Sequence, residues 1–254
     1  MLGTPGITRW IHGRKISHWS NKPLNAITPS AWIRKLALSS SLFTKANITH
    51  IRNCLDSRIF NGQAREQMRG ELGLPPTSKA VLFSSSHQPR KGAFIIPDVI
   101  RNLRKAAPAI DWRFLFMGGA PPALESDCDF TQLPPTTNEA RVASYYAASD
   151  VYALPSLEDN LPNTISESLS CGTPVAAFPT GGIVEMISSG CSGYLSTDRS
   201  ARSLALSILQ CTQARLLPRD TISNEAHSTY SRQIIAEEHR TFYRRIVASS
   251  AARV

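Results

Sequence analysis

The sequence predicts an α/β fold built on a doubly wound parallel sheet with flanking helices. Two observations lead to this class. Short apolar runs typical of buried strands alternate with stretches of helical periodicity, and Gly, Pro or polar residues separate them. Such alternation is characteristic of parallel strands joined by crossover helices. With 254 residues, of which 42% are hydrophobic, the chain is long enough for one large domain with additional segments.

The core elements follow from these runs in chain order. Strands are predicted over residues 80–84, 112–117, 151–155 and 174–178, and helices over 93–107, 139–148, 164–170 and 183–189. Further helices are predicted before the core, over 29–41 and 63–72, and after it, over 202–212 and 231–249. Pro75 and Pro76 mark the entry into the sheet. The predicted domains are a leading segment, 1–76, the sheet domain, 77–198, and C-terminal helices, 199–254.

Composition excludes several classes of protein. The longest apolar runs are far shorter than a membrane-spanning helix requires. The cysteines show neither CxxC pairs nor metal-ligand spacing, which predicts reduced thiols in the cytoplasm and no metal site; they are Cys54, Cys128, Cys171, Cys191 and Cys211. No GxGxxG motif is present, so a nicotinamide cofactor is not predicted.

Basic charge is concentrated at the two ends of the chain. Residues 1–55 contain eight basic and no acidic residues, residues 56–198 contain 11 basic and 15 acidic, and residues 199–254 contain nine basic and four acidic. A nucleic-acid groove across the core is therefore not predicted. Two interpretations of the basic ends stay open: peripheral contact with an anionic membrane at its cytoplasmic face, or a contribution to solubility alone.

The most informative segment is Ser156 to Gly172, SLEDNLPNTISESLSCG, which follows a predicted strand and contains a loop and a predicted helix. In an open α/β sheet such a loop lies at the carboxyl end of a strand, where ligands bind. Asp159 and Glu167 lie eight positions apart, with Glu167 early in the helix. A carboxylate there can accept two hydroxyl hydrogen bonds, which suits a ribose diol or a sugar.

This segment resembles the acidic signature of the retaining glycosyltransferases of family four, which have the two-domain GT-B fold. The resemblance implies that Asp159 contacts the donor sugar and Glu167 the ribose of the nucleotide. The family more often has glutamate at the first position. Glu158 is the alternative contact if the loop register differs, although its spacing to Glu167 is one residue too long.

Two other motifs agree with the resemblance. Arg90, Lys91 and Gly92 follow a predicted strand and resemble the family's phosphate-binding Lys-Gly, so Lys91 and Arg90 are implied to stabilise the leaving diphosphate. The family often has an arginine where this chain has Ser85. The second motif, which resembles the Gly-Gly-x-x-Glu turn, supplies Gly181, Gly182 and Glu185. The backbone of Asn160, Leu161, Gly181 and Gly182 is implied to line the donor, while Glu185 is equally well explained as a helix cap.

The resemblance covers residues from about 24 to about 245 and implies the C-terminal, donor-binding half of a GT-B protein, Rossmann-like in fold. Its expected reaction is metal-independent transfer of a sugar, with retention, from a UDP- or GDP-sugar to a hydroxyl of a carbohydrate or lipid-linked acceptor, in polysaccharide or glycoconjugate biosynthesis. The acceptor half is expected to come from elsewhere, such as a partner chain. The alternatives are a catalytically inactive nucleotide-sugar-binding module and, more remotely, a sugar-nucleotide epimerase.

Overall fold

The computed structural model describes residues 5–85, 88–119, 130–214 and 216–251; Cys128 lies outside these ranges. The chain forms two compact units. One unit, called here the terminal unit, comprises residues up to Asn53 together with those from Ile235 onward. The other, called the sheet unit, runs from Cys54 to Ile234. Residues 54–76 of the predicted leading segment and residues 199–234 of the predicted C-terminal helices thus belong to the same compact unit as the sheet.

The sheet unit contains a six-stranded, entirely parallel sheet in the order β5-β4-β3-β6-β7-β8. The chain starts in the middle at β3, adds β4 and β5 on one side, and then returns to add the remaining strands on the other. This topology confirms the predicted doubly wound α/β fold. The strands are β3 Lys79–Ser85, β4 Trp112–Gly118, β5 Phe130–Gln132, β6 Val151–Leu154, β7 Val175–Ala177 and β8 Gly193–Leu195.

Helices cover both faces of this sheet. Alternate strand residues point to opposite sides, so Val81 and Phe83 pack in one apolar cluster with α4 and α7, whereas Leu82 and Tyr152 pack in the other with α5, α6 and α8. Burial on both faces explains why the strands read as continuous apolar runs. The helices are α3 Arg65–Glu71, α4 Ile96–Ala106, α5 Glu139–Ala148, α6 Asn163–Ser170, α7 Ala201–Gln213 and α8 Arg219–Tyr230.

The terminal unit contains a two-stranded parallel sheet of β1, Asn25–Thr28, and β2, Asn47–His50. Helices α1, Pro5–Trp19, and α2, Ala31–Leu38, belong to it. Helix α9, Arg232–Ala251, begins in the sheet unit and contributes Ile235 and Phe242 to a small apolar cluster with Ile51. No helix within the described ranges is both long and apolar enough to cross a membrane.

Several elements differ from the sequence prediction. The predicted helix over 183–189 is wrong: a 3₁₀ turn, Gly181–Glu185, occupies its first part. Gly181 adopts φ 54°, a left-handed conformation that does not start an α-helix. Helices α1 and α8 were not predicted, because each has only a short apolar strip within a mostly polar or basic segment. Strands β5 and β8 were also missed, and three-residue strands are too short for a periodic signal.

A buried cluster of charges closes the amino edge of the sheet. Asp150, just before β6, accepts hydrogen bonds from Arg65 Nη2 at 2.6 Å, Arg69 Nη1 at 3.1 Å and the Ala80 N–H at 2.8 Å. Arg219 donates to the carbonyl oxygens of Ala147 and Ser149, which end α5, and to Thr173 Oγ1. Burial lowers the pKa of Arg219 to about 10. The guanidinium groups thereby satisfy carbonyls that the helix end leaves unpaired.

We expect Asp150→Asn to lower the free energy of unfolding by about 3–5 kcal/mol, because two mostly buried arginines would lose their counter-ion. The control is Glu71→Gln, which breaks the more exposed pair with Arg141 and should change stability by about 0–1 kcal/mol. Urea unfolding of both variants measures the difference. Equal losses would show that the ion pairs of Asp150 contribute no more to stability than the exposed pair of Glu71 and Arg141.

Candidate functional site

The candidate site lies at the carboxyl ends of β3 and β6, which are adjacent in the sheet. The chain leaves β3 for α4 on one face and leaves β6 for α6 on the opposite face. The two outgoing loops therefore diverge and open a crevice between them. Such a topological switch point is where open α/β sheets bind their ligands.

Two of the predicted residues meet across this crevice. Lys91 ends a 3₁₀ turn, Pro89–Lys91, after β3, and Asp159 lies in the loop after β6. Lys91 Nζ donates to Asp159 Oδ2 at 2.7 Å, with side chains 27% and 10% exposed. The other carboxylate oxygen, Oδ1, accepts from the Asn160 N–H at 3.1 Å. The carboxylate is thus fixed by one contact from each loop, while part of the ammonium group still faces solvent.

Main-chain contacts hold the same two loops together. The Arg90 carbonyl oxygen accepts from the N–H of Leu157 at 2.8 Å. Gly92 adopts φ 69°, and a Cβ atom on it would lie only 2.0 Å from the Pro155 carbonyl oxygen. Real Cβ contacts are never this short, so the approach requires glycine. The close approach of the two loops therefore explains the glycine of the predicted Lys-Gly motif.

The remaining residues of the β6 loop are placed as follows. The Arg90 side chain is exposed and reaches back to the Glu158 carbonyl oxygen at 3.5 Å. Glu158 is also exposed, so of the two neighbouring carboxylates it is Asp159 that pairs with Lys91. The Leu161 side chain is buried, and the Asn160 N–H is already bonded to Asp159. Asn160 therefore contributes to the shape of the loop, and its N–H is not freely available to a ligand in this conformation.

Glu167 lies on α6, the helix that follows the loop, next to two buried tyrosines. Tyr146 Oη donates to Glu167 Oε2 at 3.0 Å, and the Tyr146 ring packs edge-on against that of Tyr152 at 5.3 Å. Burial raises the pKa of Glu167 above its ordinary value; the Tyr146 hydrogen bond opposes this shift, and the charge of Glu139 adds to it. Oε1 receives no hydrogen bond from any described residue, so it can accept one from a ligand.

Gly181, Gly182 and Glu185 belong to the 3₁₀ turn that follows β7, the strand next to β6. Gly182 is buried, and Glu185 is the last residue of the turn. The turn is located at the same edge of the sheet as the Lys91–Asp159 pair, because parallel strands end on one side. Among the described residues, no three His, Cys, Asp or Glu side chains are grouped as metal ligands would be.

The contact of Tyr146 with Glu167 could not be predicted from the sequence. Tyr146 lies in a helical stretch with Tyr145 and several alanines, where a tyrosine is indistinguishable from an ordinary core residue. Only the packing of α5 beside α6 shows that its hydroxyl reaches Glu167.

Comparison with known proteins agrees with this fold. The family of glycosyl transferases group 1 matches residues 78–214, more than half of the chain. The chain belongs to this family. Its fold is a partial GT-B fold that corresponds to the C-terminal part, as predicted.

Individual relatives are more distant. The D-inositol 3-phosphate glycosyltransferase of Thermobispora bispora is 30% identical over 184 residues, which is 64% of this chain and 42% of that protein. The protein of the same name from Mycolicibacterium smegmatis is 31% identical over 165 residues, 59% of this chain and 36% of that protein. The chain thus spans less than half the length of these relatives.

Solved structures share the fold at low sequence identity. Sucrose-phosphate synthase from Thermosynechococcus elongatus superimposes with a TM-score of 0.75 at 20% identity, covering 95% of this chain and 62% of that one. Anabaena HepE, solved in complex with UDP-glucose, gives a TM-score of 0.62 at 21% identity and covers 85% and 63% of the two chains.

We expect Gly92→Ala to destabilise the protein by about 3 kcal/mol or more, because the new methyl group would overlap the Pro155 carbonyl and force the two loops apart. Gly73→Ala is a matched control: its φ is 62°, but no atom lies within 4 Å of the added Cβ. The control should lose only about 1–2 kcal/mol of conformational energy. Urea unfolding of the two variants tests this, and similar losses would contradict the close approach.

A second prediction concerns pH. Because the pKa of Glu167 is raised in the folded state, the folded protein binds this proton more tightly than the unfolded chain does. The free energy of unfolding should therefore decline as the pH rises from the ordinary pKa of glutamate through the raised pKa of Glu167. Tyr146→Phe should move the decline to higher pH, because the hydrogen bond that favours the carboxylate is lost, and Glu167→Gln should abolish it.

Unfolding free energies measured across this pH range test the prediction. The other groups near Glu167 are Glu139, Tyr152 and Cys171, so their ionisation is monitored in the Glu167→Gln background. An unchanged pH profile in Tyr146→Phe would refute the assigned coupling.

Proposed function

We propose that this chain binds the donor of a retaining glycosyltransferase, a UDP- or GDP-sugar, in the crevice between β3 and β6. The observation that carries the proposal is the 2.7 Å pair of Lys91 and Asp159 at the topological switch point. Membership of glycosyl transferases group 1 and the UDP-glucose complex of the structural neighbour HepE support it. Retention rests on the resemblance of the acidic pair to the retaining family.

The proposed roles follow from the chemistry of each group. A lysine ammonium has three donors, so Lys91 can keep its bond to Asp159 and still face the leaving diphosphate. The exposed Arg90 guanidinium adds positive charge at the same loop. Charge that develops on the diphosphate as the glycosidic bond breaks would be stabilised by both cations, which are held in place before the reaction.

The two carboxylates are proposed to orient the donor. Asp159, fixed by Lys91 and the Asn160 N–H, faces the sugar, and Glu167 accepts the ribose hydroxyls through Oε1. The backbone of Leu161, Gly181 and Gly182, in the loops after β6 and β7, is proposed to line the donor. Glu185 is assigned to the rim of this site.

The acceptor is proposed to be a hydroxyl of a carbohydrate or of a lipid-linked carbohydrate, within polysaccharide or glycoconjugate biosynthesis. The relatives named D-inositol 3-phosphate glycosyltransferase suggest a phosphorylated cyclitol as another acceptor to test. Acceptor contacts are assigned to a further domain, on the same polypeptide or on a partner chain.

A second candidate function is a nucleotide-sugar-binding module without transferase activity. It is favoured by Ser85, which stands where the family often has an arginine. The two candidates share the donor site and differ only in whether transfer follows binding.

Calorimetric titration with UDP, GDP and UDP-glucose tests the donor site. We expect Glu167→Ala to weaken nucleotide binding by about 10- to 100-fold, since it removes hydrogen bonds to a carboxylate worth about 1.5–3 kcal/mol. Glu158→Ala should bind like the unaltered protein, because the Glu158 side chain is exposed and Asp159 makes the pair with Lys91.

Three results discriminate among the possibilities. Absence of binding to any of these nucleotides would refute both candidates. Equal losses in the two variants would show that Glu158, rather than Asp159, is the loop carboxylate that contacts the donor. Binding without transfer, tested with carbohydrate and cyclitol phosphate acceptors and with a separately supplied acceptor domain, would favour the inactive module.

A further inference from the structure

The net positive charge of the chain belongs to the terminal unit. Residues 1–53 and 235–254 contain 12 basic and two acidic residues, whereas residues 54–234 contain 16 basic and 17 acidic. Three of the four tryptophans, Trp10, Trp19 and Trp32, lie in the same unit, and all three are exposed. Lys91 of the candidate site belongs to the sheet unit and is paired with Asp159. The excess positive charge of the terminal unit is therefore not explained by that site.

Helix α1 combines these features most strongly. It is 15 residues long, has no acidic residue, and is exposed over residues 6–15 and 17–19. Ile7 is 64% exposed and Trp10 60%, and Ile11 is also exposed. Positions i, i+3 and i+4 share one side of a helix, so these three side chains form a continuous apolar strip.

Basic side chains lie beyond and beside that strip, with Arg9 on the opposite side of the helix. Arg14 lies one turn beyond Trp10, and its guanidinium is 5.0 Å from the centre of the Trp10 ring. Lys15 is similarly placed over Trp19 at 5.9 Å, and Arg9 adds a third charge. Arginine and lysine can extend toward phosphate groups while tryptophan occupies the boundary between head groups and acyl chains.

An isolated helix of this length is marginal in water, and packing against the rest of the protein covers almost none of α1. The partner that would stabilise it must accept both apolar and cationic side chains. A nucleic acid offers phosphate but no apolar layer for Ile7 and Ile11. A second copy of α1 would bring like charges together.

We propose that α1 is a membrane-surface anchor, which lies in the interface of an anionic bilayer with Ile7, Trp10 and Ile11 toward the acyl chains. Arg14 and Lys15 then contact lipid phosphates, and Arg9, on the opposite side of the helix, adds to the attraction between α1 and the anionic surface. This inference goes beyond donor binding, because it concerns where the protein works and uses no residue of the donor site.

Vesicle sedimentation of the full chain tests the anchor. The vesicles are phosphatidylcholine alone and phosphatidylcholine with a quarter of phosphatidylglycerol. We expect binding only to the anionic vesicles, weakening as salt is raised. Reversal of three charges, Arg9→Glu with Arg14→Glu and Lys15→Glu, should weaken binding by at least about 100-fold, from about 1 kcal/mol per basic residue.

A matched control reverses three exposed basic residues of the sheet unit, Lys105→Glu with Arg199→Glu and Arg202→Glu. It makes the same change in net charge and should retain vesicle binding to within a few-fold. A further variant, Ile7→Ser with Trp10→Ser, should also lose binding although its charge is unchanged. Circular dichroism and UDP titration establish that each variant is folded, and UDP binding tests the donor site separately.

Several results would overturn the proposal. They are equal binding to neutral and anionic vesicles, no binding to either, and equal losses in the reversed and control variants. Tighter binding to duplex DNA or RNA than to anionic vesicles would assign α1 to a nucleic acid instead. Self-association that the Ile7→Ser/Trp10→Ser variant abolishes, with no vesicle binding, would assign it to a second copy.

Discussion

The close contact between the loops after β3 and β6 is the constraint on which the site depends. Gly92 approaches the Pro155 carbonyl more closely than any residue with a Cβ could, and the Arg90 carbonyl binds the backbone of the opposite loop. These contacts place Lys91 within 2.7 Å of Asp159 although the two are 68 residues apart in sequence. The ion pair is therefore a consequence of backbone packing rather than the force that brings the loops together. Its cation is held in advance at a position suited to a diphosphate.

Stability and binding chemistry are separated at opposite edges of the sheet. At the amino edge, Arg65 and Arg69 bond Asp150, and Arg219 bonds the carbonyl oxygens at the end of α5. Most hydrogen-bonding groups of this cluster are therefore already used within the protein. At the carboxyl edge, groups such as Lys91 and Glu167 Oε1 keep unused hydrogen-bonding capacity. A fold that is fixed at one edge can present a preorganised and partly unsatisfied site at the other.

The environment of Glu167 shows how burial and hydrogen bonding divide the control of one carboxylate. Burial favours the neutral acid, whereas the Tyr146 hydroxyl favours the carboxylate and holds one of its oxygens. The second oxygen is left for a ligand, so a buried tyrosine that touches no ligand determines how the carboxylate is presented. The positive charge and the exposed tryptophans of the terminal unit belong to no part of this site, and we assign them to contact with a lipid surface.

The sequence by itself determined the class of fold and the segments that carry the site. Continuous apolar runs and period-3.6 apolar patterns are local, and they identified β3, β4, β6, β7 and most of the helices between them. Motif spacing likewise identified Lys91, Asp159 and Glu167. Only the tertiary structure decided which groups meet. It pairs Asp159 rather than Glu158 with Lys91 and brings Tyr146 to Glu167. It also forms the 3₁₀ turn Gly181–Glu185 and places Arg219 at the last carbonyl oxygens of α5. These contacts join residues far apart in the chain, and their geometry depends on strand order and backbone approach, which no local pattern records.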